Sequence, residues 1–154
     1  AVLVIGPHDL SGIAAYTEVV VAVDGSRQSA AVLRDAVALA EQIDAKLQIV
    51  QVVDPEARAR AHAAGIPYQD IVEYGHVSEL ARDLPPDVAA SWEVLHHHDV
   101  AHGIVDYLSD HRSAIVAMST HARSGSDLLA AGSVANHVVH ASPCPVLLLH
   151  PATS

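Results

Sequence analysis

Apolar residues occur in short unbroken runs, and the stretches between the runs carry helical spacing. Val19–Val23 is a continuous run of β-branched and small side chains ending at Asp24-Gly25-Ser26, as expected of a strand buried on both faces that stops at a turn. From Ser29 to Gln42 the period changes. Val32, Ala36, Leu39 and Ile43 form one stripe with Leu33, Val37 and Ala40 beside it, while Arg34, Asp35 and Glu41 fall elsewhere. Ser26 or Ser29 can cap this helix. Leu47–Val53 is the next strand, and joining it to the first through the helix requires a right-handed parallel crossover.

The pattern continues with a helix over Val100–Asp110 that aligns Ile104, Val105 and Leu108, then a short strand over Ser113–Met118. A helix over Ser133–His140 precedes the last strand, Val146–Leu149. Trp92–His96 is a weaker strand, expected nearer a sheet edge. Strands alternating with helices, and runs too continuous for a half-solvated antiparallel sheet, specify an α/β domain that is doubly wound around a parallel sheet. Asp54–Pro86 is less legible: Ala57–Ala64 and His76–Asp83 read as short helices, with Gly65, Pro67, Gly75 and Pro85-Pro86 as breakers, so irregular structure is expected there.

One internal echo stands out. Val2-Leu3-Val4-Ile5-Gly6-Pro7 resembles Val146-Leu147-Leu148-Leu149-His150-Pro151, through chance similarity of apolar runs or as the trace of a truncated tandem repeat. The second reading divides the chain into residues 1–17, an N-terminal strand and linker left from a preceding repeat, and a domain over 18–151.

Composition narrows the chemistry. The chain has 154 residues, enough for one core, and 51% are hydrophobic although only 3% are aromatic, so the core is built from Ala, Val, Leu and Ile. A formal charge of −10 with Lys46 as the only lysine leaves no basic surface for nucleic acid. Cys144, between Pro143 and Pro145, has no partner for an internal disulfide and reads as a packing residue compatible with a reducing compartment. Ala1–Ala15 lacks a basic n-region, and no apolar run approaches the roughly 20 residues of a membrane span. The expectation is a soluble, cytoplasmic protein without membrane partners.

The glycine-rich candidate is Met118-Ser119-Thr120-His121-Ala122-Arg123-Ser124-Gly125, followed by Gly132-Ser133-Val134 at a helix start. Amide N–H groups at a helix N-terminus attract anions, and small residues let a phosphate approach. In an open parallel sheet, ligands sit beyond the carboxyl ends of strands where strand order reverses, so this loop and Asp24-Gly25-Ser26 are expected to face one crevice. Taken singly, Gly125 and Gly132 need only end a turn and start a helix. Neither G-x-G-x-x-G nor G-x-x-x-x-G-K-[ST] occurs, which argues against a Rossmann dinucleotide site and a P-loop ATPase.

These residues carry a family resemblance. Val21–Ser26, Met118–Gly125, Gly132-Ser133-Val134-Ala135 and Ser142-Pro143-Cys144-Pro145-Val146 together resemble the universal stress protein family, from about Glu18 to His150. The resemblance implies a five-stranded parallel sheet in order 3-2-1-4-5, the adenine nucleotide alpha hydrolase-like fold. ATP-binding members carry G-x-x-G-x9-G-[ST] after the fourth strand. Here Ser119 and Ala122 replace the first two glycines, while Gly132 and Ser133 match.

By that resemblance Asp24, with the backbone of Ala22 and Val23, meets adenine and ribose, and Val52 holds the adenine edge. Met118 flanks the base, and Ser119 and Ala122 occupy the phosphate loop. Gly132, Ser133 and Val134 supply amides and a hydroxyl to the phosphates, with Arg123 as the nearest positive charge. A left-handed conformation at Ala122 would cost about 1–2 kcal/mol, about a tenfold loss of affinity. With ordinary backbone angles the penalty nearly vanishes.

The chain also holds 12 histidines. His98 and His102 have the i, i+4 spacing of helical metal ligands, and on a strand His96 and His98 converge while His97 diverges. Only Asp99 adds a carboxylate nearby, so solvated histidines are expected rather than a metal site. Protonating every histidine would take the formal charge from −10 to about +2, so solubility and association are expected to depend on pH between about 5 and 7. No Ser, His and Asp set for nucleophilic catalysis is evident. His121 lies near Ser119, Ser124 and Ser133 in sequence, which establishes no catalytic geometry.

In the family's order Val146–Leu149 lies at the sheet edge, where an open apolar strand invites pairing. The family uses this edge for dimer or tandem-domain contacts, and Val2–Ile5 is a candidate to cover it within the chain or across a two-fold dimer. The resemblance implies an adenine-nucleotide-binding stress-response protein, taking ATP or AMP with Mg²⁺ and acting through ligand-linked dimerisation. The alternatives are a slow ATPase or phosphotransferase, and a nucleotide-free dimerisation scaffold.

Overall fold

The computed structural model describes residues 2–4, 15–24, 27–65, 77–120 and 132–149. Its strands are β1 (Val2–Val4), β2 (Glu18–Val23), β3 (Lys46–Val53), β4 (Ala90–His96), β5 (Ala114–Ser119) and β6 (Val146–Leu149). The helices are α1 (Arg27–Ile43), α2 (Pro55–Ala63), α3 (Val100–Asp110) and α4 (Ser133–Ala141), with a further helical stretch over 77–82. The sheet runs β1-β6-β5-β2-β3-β4. Strands β2 to β6 pair in parallel with one another in the expected 3-2-1-4-5 order. To this β1 adds a sixth strand, antiparallel to β6.

Alternation along each strand sorts the core into two faces. Val19, Val21, Val23, Leu47 and Ile49 pack with Val32, Leu33, Ala36, Val37 and Ala40 of α1 and with Val77. Val20, Val50, Val116, Met118 and Val146 pack on the other face with Ala101, Ile104 and Leu108 of α3 and Ala135 and Val138 of α4. The inner strands are thus covered on both sides, which is why their sequences read as unbroken apolar runs.

Local chemistry sets the ends of the helices. Helix α1 stops at Asp44, whose φ of 55° is left-handed. The Ala45 N–H donates to the Ala40 carbonyl (2.9 Å) and the Asp44 N–H to the Glu41 carbonyl (3.4 Å). Those two bonds make a Schellman cap without glycine, a conformation that aspartate tolerates. At α2, Pro55 occupies the first helical position and Asp54 Oδ1 accepts from the Glu56 N–H (2.9 Å). Asp99 caps α3 by accepting from the His102 N–H (2.9 Å).

The boundaries differ in instructive ways. Strand β4 starts at Ala90, two residues before the first aromatic, because Ala90 and Ser91 pair with Leu47 and Gln48. The Ser91 hydroxyl also donates to Gln48 Oε1, which accounts for a glutamine buried in a sheet. Strand β5 begins one residue later than expected and includes Ser119. Cys144 is buried, with its Sγ 3.4 Å from the His111 carbonyl oxygen, and burial pushes its thiol pKa up, consistent with a packing residue. Among the described residues no helix is long and apolar enough to cross a membrane.

Candidate functional site

Chain order in the sheet reverses between β2 and β5. Strand β2 leads into α1 on one face, while β5 leads towards α4 on the other, so the segments leaving these neighbouring strands part at their carboxyl ends. Such a divergence is the ordinary ligand position of an open α/β sheet. Ala22 sits in the register between Val50 of β3 and Met118 of β5, directly beneath it.

The expected site residues separate by face. Ala22, Val52, Met118 and Val134 all belong to the α3–α4 face and together form an apolar group under the rim. Met118 is 5% exposed, whereas Ala22, Val52 and Val134 are half-buried. The Val23 side chain points into the opposite core, so only its main chain belongs to the rim. Asp24, immediately after β2, is exposed.

Ser119 ends β5 and is buried, paired in register with Leu149. The Thr120 N–H donates to the Leu149 carbonyl (2.9 Å), fixing the start of the following loop to the end of β6. Ala122 and Arg123, with His121, Ser124 and Gly125, lie outside the described residues. Gly132 is the N-cap of α4 with φ −56° and ψ 163°, and provides no side-chain cap. Its carbonyl accepts from the Asn136 N–H (2.9 Å), while Ser133 is exposed at the first helical position. The leading amides of an α-helix have no intrahelical acceptor, so this uncapped end offers donors and the positive end of the helix dipole to an anion.

The histidine cluster is arranged differently from its sequence spacing. Strand β4 ends at His96 and α3 starts at Val100, so His98 and His102 do not share a helix. His98 Nδ1 lies 3.5 Å from Asp54 Oδ1. His97 Nδ1 accepts from the Asp99 N–H (2.9 Å), and its Nε2 is 3.7 Å from Asp106 Oδ2. The His102 N–H and imidazole beside Asp99 hold its carboxyl below the usual carboxylate range. The sequence reading missed His137 of α4, whose ring centroid lies 4.5 Å from that of His102. No local signal links residues so far apart in the chain; only the packing of α3 on α4 brings them together. Among the described residues no three His, Cys, Asp or Glu side chains are grouped to hold a metal ion.

Known proteins share this fold. The family model of the universal stress protein family matches residues 15–150. The chain is 26% identical over 146 residues to Universal stress protein MJ0531 of Methanocaldococcus jannaschii, with 87% of this chain and 82% of that protein covered. A universal stress protein solved in complex with cAMP superposes with a TM-score of 0.67 at 22% identity, covering 89% of this chain and 98% of that one. The universal stress protein from Archaeoglobus fulgidus, solved in complex with dAMP, gives a TM-score of 0.59 at 22% identity, covering 86% and 97%. With the family model spanning nearly all of the parallel sheet and its helices, the chain belongs to the universal stress protein family.

Proposed function

We propose that this protein binds an adenine nucleotide, ATP or AMP, at the β2–β5 rim and acts in stress response through ligand-linked association. The observation that carries this reading is the meeting of three features on one rim. These are the exposed Asp24 after β2, the apolar group of Ala22, Val52, Met118 and Val134, and the uncapped start of α4 at Gly132-Ser133. An apolar platform suits a purine, a carboxylate suits ribose hydroxyls, and helix amides suit phosphates. The cAMP and dAMP complexes of family members support the adenylate class. Ser119, Ala122 and Arg123 complete the loop in this reading, and Mg²⁺ enters with the phosphates of ATP.

The β6 edge suited to association is covered within this chain by β1. In the internal echo Val2 corresponds to Val146, Leu3 to Leu147 and Val4 to Leu148. The pairing is Val2↔Leu148, Leu3↔Leu147 and Val4↔Val146, so it is symmetric about the equivalent pair Leu3 and Leu147. Two equal strands meeting across a two-fold axis pair in this manner. We infer that β1, the remnant of a preceding repeat in residues 1–17, stands where β6 of a second such domain would stand, in tandem or from another copy. The Thr120–Leu149 bond gives the nucleotide loop a direct hold on that edge.

The test is to identify nucleotide retained by gently purified protein and to follow it over time. ATP bound and unchanged is the expected result. Conversion of the nucleotide would instead mark a slow ATPase or phosphotransferase. An empty protein that takes up no added nucleotide would mark a scaffold and overturn the proposal.

A further inference from the structure

We propose that His102 of α3 and His137 of α4 form a two-imidazole clamp for a first-row divalent transition ion of the zinc class, between the two helices. The two rings come from different helices, with centroids 4.5 Å apart and planes tilted by 51°. Two imidazoles bound to one tetrahedral ion, each with a nitrogen at about 2.0–2.1 Å, have centroids about 5 Å apart, so only a small adjustment of the exposed His102 ring and the half-buried His137 ring separates this pair from that geometry.

Three further features favour a ligand role over chance adjacency. First, Asp99 Oδ1 lies 3.1 Å from His102 Nδ1, a contact that favours the tautomer with the proton on Nδ1 and the lone pair on Nε2. A carboxylate behind a histidine is the usual support of a metal-binding imidazole. Second, the ring of His137 has no hydrogen-bond partner among the described residues, and the neighbour it meets there is His102. By contrast, His140 on the same helix points its Nδ1 at the Asn136 carbonyl (2.7 Å).

Third, the backbones bearing the two rings are fixed. Ala101 beside His102 and Val138 beside His137 are both buried in the core that joins α3 to α4. A pair held on packed helices loses little freedom when an ion binds. His97 stacks 6.4 Å from His102 but uses its Nδ1 to accept from the Asp99 N–H, which leaves it outside the clamp. Two protein donors leave coordination positions for water or an added ligand. Nitrogen donors select zinc, cobalt, nickel or copper over magnesium and calcium.

The test is a titration of the full chain, free of any histidine tag and of nucleotide, with Zn²⁺ by calorimetry and with Co²⁺ by visible absorption. The expected result is one saturable equivalent, weakened at least tenfold in His102→Gln and in His137→Gln, with circular dichroism showing that both variants fold. Asp99→Asn, which keeps a helix-capping oxygen but loses the charge, is expected to weaken the ion by about tenfold. His96→Gln and His98→Gln serve as controls expected to leave affinity unchanged. Absence of a one-to-one site, equal affinity in the His137→Gln protein, or an equal loss in the two controls would overturn the clamp. Because nucleotide is absent from the titration, neither result bears on the adenylate reading.

Discussion

Gly103 of α3 lies against Val52 near the end of β3: a methyl group on its α-carbon would stand 2.9 Å from Val52 Cγ1 and 2.9 Å from His97 Cβ. Neither atom is the far end of a flexible chain, so Gly103→Ala must displace the helix, the strand end or the β4–α3 turn. The overpacking costs about 1–3 kcal/mol, and the better helix propensity of alanine returns about 1 kcal/mol. A net loss of about 1 kcal/mol is expected in urea unfolding. Because Val52 is the residue proposed to hold the adenine edge, nucleotide affinity should fall as well. A variant more stable than the parent would show that Val52 and His97 do not constrain this helix.

A second prediction concerns the start of α4. Gly132 has φ −56°, a value open to any residue, so its lack of a side chain matters for approach to the helix amides rather than for backbone freedom. Gly132→Val should therefore preserve the unfolding free energy to within about 1 kcal/mol while reducing retained adenylate by tenfold or more. Undiminished retention would place the phosphates elsewhere.

The contrast between these two glycines shows what the sequence could and could not reveal. Parallel strands buried on both faces need unbroken apolar runs, so β2, β3, β5 and β6 were legible from composition and period alone. The apolar stripe also ends at Ile43, the last residue of α1, although Asp44 beyond it holds the left-handed position where glycine is the usual signal. Strand β4 was readable only from its aromatic onward, since Ala90 and Ser91 owe their extended conformation to pairing with β3. In the candidate site, Asp24, Gly132 and Ser133 announce themselves through turn and helix-start chemistry. His137 does not, because its significance depends on the helix packed against it. The i, i+4 spacing of His98 and His102 makes no helical pair, in keeping with the helix expected from Val100, because a turn and a helix cap intervene between β4 and α3.

The third prediction follows from the pairing of Leu3 with Leu147. In an antiparallel ladder, alternate residues exchange backbone hydrogen bonds, and proline removes the donor. Leu3→Pro and the double variant Val2→Pro/Val4→Pro cover both alternations, so one of them must break the ladder. With β1 released, the apolar edge Val146–Leu149 becomes available to the same edge of another copy. Sedimentation should show a doubling of mass for the variant that breaks pairing, enhanced by adenylate if the nucleotide loop is linked to β6. An unchanged mass for both variants, with and without nucleotide, would remove β1 from any role in association.

The fourth prediction is an alkaline one. Tyr107 of α3 stacks on His111, with ring centroids 4.0 Å apart. Its phenol is pushed up from 10.0 to about 12, chiefly by burial and then by the negative charges of Glu18 and Glu93. A folded-state value above the unfolded one means that the native protein holds its proton more tightly. The corresponding stability is fully present below pH 10, where both states keep the proton, and is lost as pH rises towards about 12, where the unfolded chain ionises first. The phenol is half-buried, so solvent screening reduces the size of the effect without changing its sign. Cys144 contributes in the same direction, because its thiol is also raised by burial. The informative quantity is therefore the difference between the parent and Tyr107→Phe, measured by chemical unfolding from pH 9 upward. The parent should lose stability more steeply than the variant through this window; parallel curves would show that the phenol titrates alike in the folded and unfolded chains.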